Sequence, residues 1–377
     1  MAACLLLSAC SKADQTPHSD SSNMPGASGA QAADAAQTGQ AEQMDRAREI
    51  LAGMTLDEKV GQMFLARCPA SDGAKAVEQY KLGGFVLFYR DFEGETPQTV
   101  SKTIQGYQQT ASVPMLIAVD EEGGTVNRVS KEPALRNTPF LSPQALYRQG
   151  GFDRIREDTA QKATLLKSLG INVNLAPVCD VSQTPGDFIY ARSFGKDAEE
   201  TAQYVRTVVE EMNRQQIGGV LKHFPGYGGN EDTHAGVVRD NRPYETFRDS
   251  DLIPFREGIH AGAGAVLVSH NIVECIDPDR PASLSQKVNR LLRKELAFDG
   301  VAITDDLVMD GILDFTGDDS AAVLAVLAGN DLLCCTNYQT QVPAVKAAIE
   351  RGEIPLSRVE EAVLRILRWK LDLGIIQ

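Results

Sequence analysis

No stretch of this 377-residue chain reaches the roughly 20 consecutive apolar residues that a membrane-spanning helix needs. Basic side chains are in deficit: 37 Lys and Arg stand against 51 Asp and Glu, a formal net charge of −14. Nucleic-acid binding neutralises phosphates with an excess of Lys and Arg, so that class is excluded. The seven cysteines form no C-x-x-C pair, which removes the usual zinc framework. No G-x-G-x-x-G follows an early strand to favour a dinucleotide fold. Histidine is scarce as well, with five in the chain and one of them, His18, in the N-terminal tail. With 43% apolar and 23% charged residues, the composition is otherwise that of a globular protein.

The first ten residues, MAACLLLSAC, resemble a bacterial lipobox. A short apolar run closes on small residues and Cys10, which would carry the lipid. No Lys or Arg precedes the run. Residues 11–45 are Ser, Ala, Gly, Gln and Asp with almost no branched apolar side chain. Such a segment cannot bury enough surface to offset its chain entropy, and it reads as a disordered tether. Anchor and tether together imply export, with a folded domain over 46–377 held outside the membrane through lipid alone. Stable anchoring then takes more than one acyl chain. Cys68, Cys179 and Cys334 lie in or beside apolar runs and read as small core residues.

From residue 46 the pattern alternates between short apolar, β-branched runs and longer amphipathic segments. Eight strands are expected, at Met63–Ala66, Gly84–Phe88, Met115–Val119, Val173–Pro177, Gly219–Lys222, Ala265–Ser269, Val301–Thr304 and Asp331–Cys334. Runs apolar throughout indicate burial on both faces, as in a parallel sheet. Ala198–Arg214 reads as a helix, with Ala202, Val205, Val208, Val209 and Met212 on one face. A last helix starts at Leu356, with Ser357 available as a cap and Val359, Val363, Ile366 and Leu367 as its stripe. Eight strand–helix units in about 330 residues fit a (β/α)₈ TIM barrel in a single catalytic domain. An open doubly wound sheet would have similar content, and periodicity does not separate the two.

The placement of polar residues favours the barrel. Its catalytic groups sit at the C-terminal ends of the strands. Asp120 follows the third strand, Asp180 the fourth, Lys222 and His223 the fifth, His270 the sixth, and Asp305 and Asp306 the seventh. Each has an ordinary explanation: a helix cap for Asp120, a turn for Asp180, a neutralising partner for Lys222, a structural histidine for His270. Together they place ionisable groups at one end of at least five strands, which costs desolvation unless the groups are used. A zinc hydrolase would take a His-x-His pair from the first strand, and Met63–Ala66 ends in Arg67 instead. Glycoside hydrolysis suits the set better, because charged donors and acceptors recognise a dense array of hydroxyls.

The segment Lys222-His223-Phe224-Pro225-Gly226-Tyr227-Gly228, followed by Asp232-Thr233-His234, resembles a signature of glycoside hydrolase family 3 in its β-N-acetylglucosaminidase subgroup. Asp120-Glu121-Glu122-Gly123-Gly124-Thr125-Val126-Asn127-Arg128, Arg192-Ser193-Phe194-Gly195 and Thr304-Asp305-Asp306-Leu307 agree in order and spacing. Departures stand at Glu121, Thr125 and Tyr227, where the subgroup pattern has Gln, Arg and His, and they bear on the pocket rim and the leaving-group preference. The resemblance spans residues 46–374. It implies Asp305 as the nucleophile of a retaining mechanism, and His234 as general acid/base, oriented by Asp232 on a Gly-rich loop. It implies Asp120, Arg128, Arg192, Lys222 and His223 as sugar-binding residues, with Asp180 and His270 supporting them. Adjacent strand residues point to opposite faces, so only one of Asp305 and Asp306 is expected to face the axis. The chain stops at Gln377 without the second α/β domain that supplies a carboxylate acid in related β-glucosidases, which leaves His234 as the candidate.

The expected activity is removal of non-reducing terminal β-linked N-acetylglucosamine from glycans, muropeptides among them. The protein is expected to be monomeric and to need no metal or cofactor. A phosphorylase remains as an alternative, since a histidine acid/base leaves room for anionic phosphate. So does a non-catalytic sugar-binding lipoprotein, which would have no use for Asp305 with an Asp-x-His loop.

Overall fold

The computed structural model describes residues 27–231, 236–316 and 320–377; Cys10, Asp232 and His234 lie outside them. The chain divides into Met1–Glu42 and Gln43–Gln377. A helix runs over Ala27–Gly53, so helical backbone begins inside the segment read as a tether. Ala, Gln and Glu are strong helix formers. The shortage of branched apolar residues there bears on packing, and says little about backbone conformation. No helix among the described residues is long and apolar enough to cross a membrane.

The second unit holds eight parallel strands: β1 Phe64–Arg67, β2 Gly84–Leu87, β3 Leu116–Val119, β4 Val173–Asn174, β5 Gly218–Phe224, β6 Ala265–Val268, β7 Val301–Thr304 and β8 Leu333–Cys335. They pair in the order β8-β1-β2-β3-β4-β5-β6-β7. A parallel bridge between Ile303 and Leu332 joins β7 to the residues entering β8 and closes the ring. The Thr304 amide donates to the Leu332 carbonyl at 3.1 Å across the same seam. The architecture is a (β/α)₈ barrel, as expected. The strand after Val173 is shorter than the sequence suggested, and β5 is longer by a residue at its start and two at its end.

Two packed layers follow from the period-two alternation of the strands. Leu65, Val86, Leu116, Ala118, Val301 and Ile303 fill the barrel interior. Their neighbours Phe64, Ala66, Phe85, Ile117 and Ala302 point outward into the layer shared with the helices. Helix Ala198–Arg214 contributes Val205, Val209 and Met212 to that layer, and Asp197 caps it by accepting from the Glu200 amide at 2.9 Å. The last helix, Leu356–Asp372, buries Val359, Val363, Ile366 and Leu367 as its spacing predicts. Its N-cap is Pro355, however, so Ser357 lies inside the first turn and caps nothing.

That helix also closes the base of the barrel. Trp369, the only tryptophan, packs with Ile366 in the interior cluster. Gly218 and Gly264 stand at the starts of β5 and β6, and a Cβ at Gly218 would come within 2.9 Å of the indole. At Gly264 the approach is closer still. These glycines are small so that the ring can seat, and the interior is packed from that end.

Candidate active site

A cavity of about 400 Å³ opens at the other end, where the strands terminate. Strand phase explains which side chains reach it. Leu116 and Ala118 point inward on β3, and the same alternation carries Asp120 to the cavity. On β7, Val301 and Ile303 point inward, and Asp305 continues that set. On β5 the register against β6 shifts between Leu221 and Phe224, a bulge that lets Lys222 and His223 both border the cavity.

Glu122 organises the cationic side of this space. Its Oε1 lies 2.6 Å from Lys222 Nζ and 2.7 Å from Arg192 Nη2, and its Oε2 accepts from Arg192 Nε at 3.0 Å. Lys222 also reaches Asp120 at 2.6 Å. Burial pushes the Glu122 carboxyl up, but Lys222 and Arg192 outweigh that and hold it well below the usual carboxylate range. Burial likewise pushes Lys222 down, and Asp120 and Glu122 reverse the sign and keep it a cation. Glu122, Lys222 and Arg192 are thus held in their charged forms, with the fork geometry of Arg192 fixed by a bidentate carboxylate.

His223 is fixed by two further partners. Asp180 Oδ2 lies 2.8 Å from its Nδ1, and Arg192 Nη2 lies 3.2 Å from its Nε2. A guanidinium only donates, so Nε2 accepts and Nδ1 carries the proton, donated to Asp180. Asp180 is 1% exposed and also accepts from the Tyr227 amide at 2.7 Å. It is therefore a buried orienting carboxylate for His223, not a turn former. The Tyr227 ring borders the cavity and stands edge-on to His223, with centroids 5.2 Å apart.

Asp305 and Asp306 differ in environment. The Asp305 carboxylate accepts from the Asp306 amide at 2.9 Å. Asp306 turns sideways and accepts from the Thr336 amide at 3.0 Å and from the Thr336 hydroxyl. Both residues border the cavity, with the Asp306 carboxylate engaged by Thr336. β7 ends at Thr304, so strict alternation stops short of the pair. His270 does not border the cavity. Its Nδ1 lies 2.8 Å from Ser283 Oγ and its Nε2 3.1 Å from the Asp306 carbonyl, which makes it a buried support for the β7 turn.

The departures from the expected motif also find places. Glu121 is not at the rim. It is buried and accepts from the amides of Arg128 at 2.9 Å, Val129 at 2.7 Å and Ser130 at 3.2 Å. A carboxylate there folds the turn that presents Arg128 to the cavity. Thr125 is exposed. Cys334, read as a core residue, borders the cavity at the end of β8.

The loop that continues toward Asp232 and His234 is rooted in a buried ionic clasp. Arg242 donates to Asp240 at 2.7 Å, to Asp251 at 3.0 Å and to the Gly226 carbonyl at 3.2 Å. Gly226 has φ +127, and a Cβ on it would sit 2.6 Å from the Asp251 carboxylate, so only glycine fits. Burial raises the Asp251 carboxyl to about 6 despite Arg242.

Two residues of the site were not singled out from the sequence. Arg67 was noted only as offering no metal ligand, yet it borders the cavity with its guanidinium 4.4 Å above the Phe88 ring. Glu122 was read as part of a motif and given no role. The signal for it was the ordinary reading of Lys222 as partner of a buried carboxylate, which the structure bears out. Among the described residues, no group of three or more His, Cys, Asp or Glu side chains could hold a metal ion.

A parallel barrel that gathers carboxylates, guanidiniums and an imidazole around one cavity at its strand ends is the architecture of a glycoside hydrolase. The N-terminal domain of glycosyl hydrolase family 3 matches residues 55–369, and the chain belongs to that family. It is 30% identical to "Beta-hexosaminidase LpqI" of Mycobacterium tuberculosis, over 83% of this chain and 82% of that protein. It is 29% identical to "Beta-hexosaminidase A" of Pseudoalteromonas piscicida, over 80% of this chain but only 55% of that protein. Among solved structures, a family 3 β-N-acetylglucosaminidase from Paenibacillus sp. superposes with a TM-score of 0.80 at 34% identity, over 86% of this chain and 63% of that one. The chain thus spans little more than half the length of some of the relatives it matches.

Proposed function

We propose that the chain is a retaining exo-β-N-acetylglucosaminidase. The observation that carries this reading is the shared cavity: Asp305 borders the same 400 Å³ space as Asp120, Arg128, Arg192, Lys222 and His223. Two relatives named as β-hexosaminidases and a solved β-N-acetylglucosaminidase support it. In this reading the five polar residues hold the hydroxyls and acetamido group of a terminal N-acetylglucosamine. A carboxylate oxygen of Asp305 bonds to C1 as the bond from C1 to the leaving oxygen breaks. His234, oriented by Asp232, gives that oxygen its proton. Water then attacks C1, His234 takes a proton back, and the Asp305–sugar bond breaks with net retention.

The substrates we assign are N-acetylglucosamine-capped glycans, peptidoglycan fragments among them. Export with a lipid on Cys10 accompanies the proposal; it rests on the lipobox resemblance and the tether composition.

Intact-protein mass spectrometry after treatment with a fluorinated, slow-turnover N-acetylglucosamine analogue tests the mechanism. A covalent adduct that maps to Asp305 and is absent in Asp305→Ala is expected. An adduct elsewhere, or unchanged turnover in the variant, refutes the nucleophile. His234→Ala should slow substrates with poor leaving groups more than activated aryl glycosides, which need little protonation. A phosphate requirement with sugar-1-phosphate as product would replace hydrolysis by phosphorolysis.

A further inference from the structure

We propose that the base of the barrel carries a second binding site, for a hydroxyl-bearing phosphate such as a polyol phosphate monoester. A cavity of about 540 Å³ lies beside the N-terminal ends of β7 and β8, at the opposite end of the strands from Asp305. Five cationic side chains border it, Arg290, Arg293, Lys294, Arg358 and Arg365, against the two carboxylates of Asp299 and Glu361. In a chain of net charge −14 this excess of positive charge is a local feature. Both carboxylates are already engaged. Glu361 pairs with Arg358 at 3.1 Å and Arg365 at 2.9 Å, and Asp299 pairs with Arg368 at 2.8 Å and Arg365 at 3.4 Å. Arg290 and Lys294 are exposed, one helical turn apart, and have no carboxylate partner among the described residues.

A second observation is independent of charge. Asn289 is 4% exposed and borders the cavity, and neither atom of its side-chain amide has a hydrogen-bond partner among the described residues. Arg358 Nε is in the same condition. Leaving a buried amide unpaired costs its desolvation, and folded proteins leave few such groups. Gly329 keeps the space open: a Cβ there would press to 3.3 Å from the Asn289 side chain.

The donor set identifies the ligand class. Guanidinium and ammonium groups only donate, whereas the Asn289 amide both donates and accepts. A ligand that matches all of them offers anionic oxygens to the cations and a hydroxyl hydrogen to the Asn289 carbonyl oxygen. Chloride matches the charges but leaves that oxygen unpaired. Burial together with its neighbours Arg365 and Arg358 lowers Arg293 despite the Asp331 partner, so added negative charge beside it would be welcome.

The inference stands apart from the glycosidase reading, since none of these residues borders the catalytic cavity. Calorimetric titration of the full chain with glycerol 3-phosphate, against chloride at matched ionic strength, tests it. One saturable site is expected, weakened at least about tenfold in the double variant Arg290→Glu with Lys294→Glu. Both positions are exposed, so the variant should keep its circular dichroism and thermal midpoint without ligand. Asn289→Ala should narrow the preference for glycerol 3-phosphate over sulfate. Absence of saturable heat, or undiminished binding by the double variant, would overturn the proposal; the latter would move the site to the cationic mouth. Co-sedimentation with phosphatidylglycerol vesicles, whose headgroup carries a phosphate beside free hydroxyls, separates a lipid-borne phosphate from a free one as the source of that chemistry.

Discussion

The two ends of the barrel each bury one carboxylate among several cations, and they use it differently. At the mouth, Glu122 holds Lys222 and Arg192, and both cations also border the open cavity. At the base, Asp331 is wholly buried and serves Arg293, Arg358 and Arg365. Further donors of Arg293 and Arg358 end on main-chain carbonyls, and Arg365 turns to Asp299 and Glu361. Arg293 reaches Phe298 at 3.0 Å and Gly300 at 2.6 Å, and Arg358 reaches Gly329 at 3.1 Å and Asn330 at 2.8 Å. The base hub ties the terminal helix to the starts of β7 and β8. The mouth hub aims charge into the cavity that Asp305 shares. A buried ion cluster is thus not by itself a sign of catalysis; where its remaining donors point is what distinguishes the two.

The sharpest way to break this contrast is to neutralise each hub without changing its shape. Glu122→Gln and Asp331→Asn both remove a buried partner, a change worth on the order of 3–5 kcal/mol in comparable pairs. Both should therefore lower the thermal midpoint. Only Glu122→Gln should also reduce kcat/KM on an aryl N-acetylglucosaminide, by about two orders of magnitude, because Arg192 and Lys222 lose their fixed positions. Equal losses in kcat/KM for the two variants would erase the distinction.

A smaller effect comes from two buried lysines. Lys222 is kept charged by its carboxylates, whereas Lys370 at the base donates to Gln62 Oε1 at 2.7 Å and is lowered by burial to about 7 from 10.5. Between those two values the unfolded chain binds a proton at this site that the native chain does not, so stability should rise with pH from about 7 to about 10.5. Urea midpoints across that range should climb in the parent chain, and the Lys370→Met variant should lack that component of the climb. The smallest change is expected from Tyr227→His, which restores the family residue. Its ring lies edge-on to His223 at the cavity border, so KM for different leaving groups should shift by less than about tenfold while kcat holds. A collapse of kcat would mean that Tyr227 does more than shape the rim.

Most of the strand positions and the barrel could be read from residues alone, because burial on both faces writes a continuous apolar run and the polar ends stand out against it. Asp120, Arg128, Arg192, Lys222, His223 and Asp305 do meet at one cavity. What escaped has physical reasons. Glu122 works through its partners, and those partners come from β5 and the Arg192 loop, so no local spacing announces it. His270 sits at a strand end like a site residue, but the β7 turn claims its ring. The Ser357 cap failed because Pro355 already sets the entry geometry of the last helix. The bulge on β5 defeats simple alternation and brings Lys222 and His223 to the same side.

The indole seated against Gly218 and Gly264 has one further consequence. With the floor of the barrel packed by the indole, the cavity is reached from the strand-end side and has no passage through the base. A ligand in the cavity therefore cannot thread along the barrel axis. In the reaction proposed above, a freed sugar leaves by the same strand-end side that substrate enters, and free N-acetylglucosamine should accordingly compete with incoming substrate.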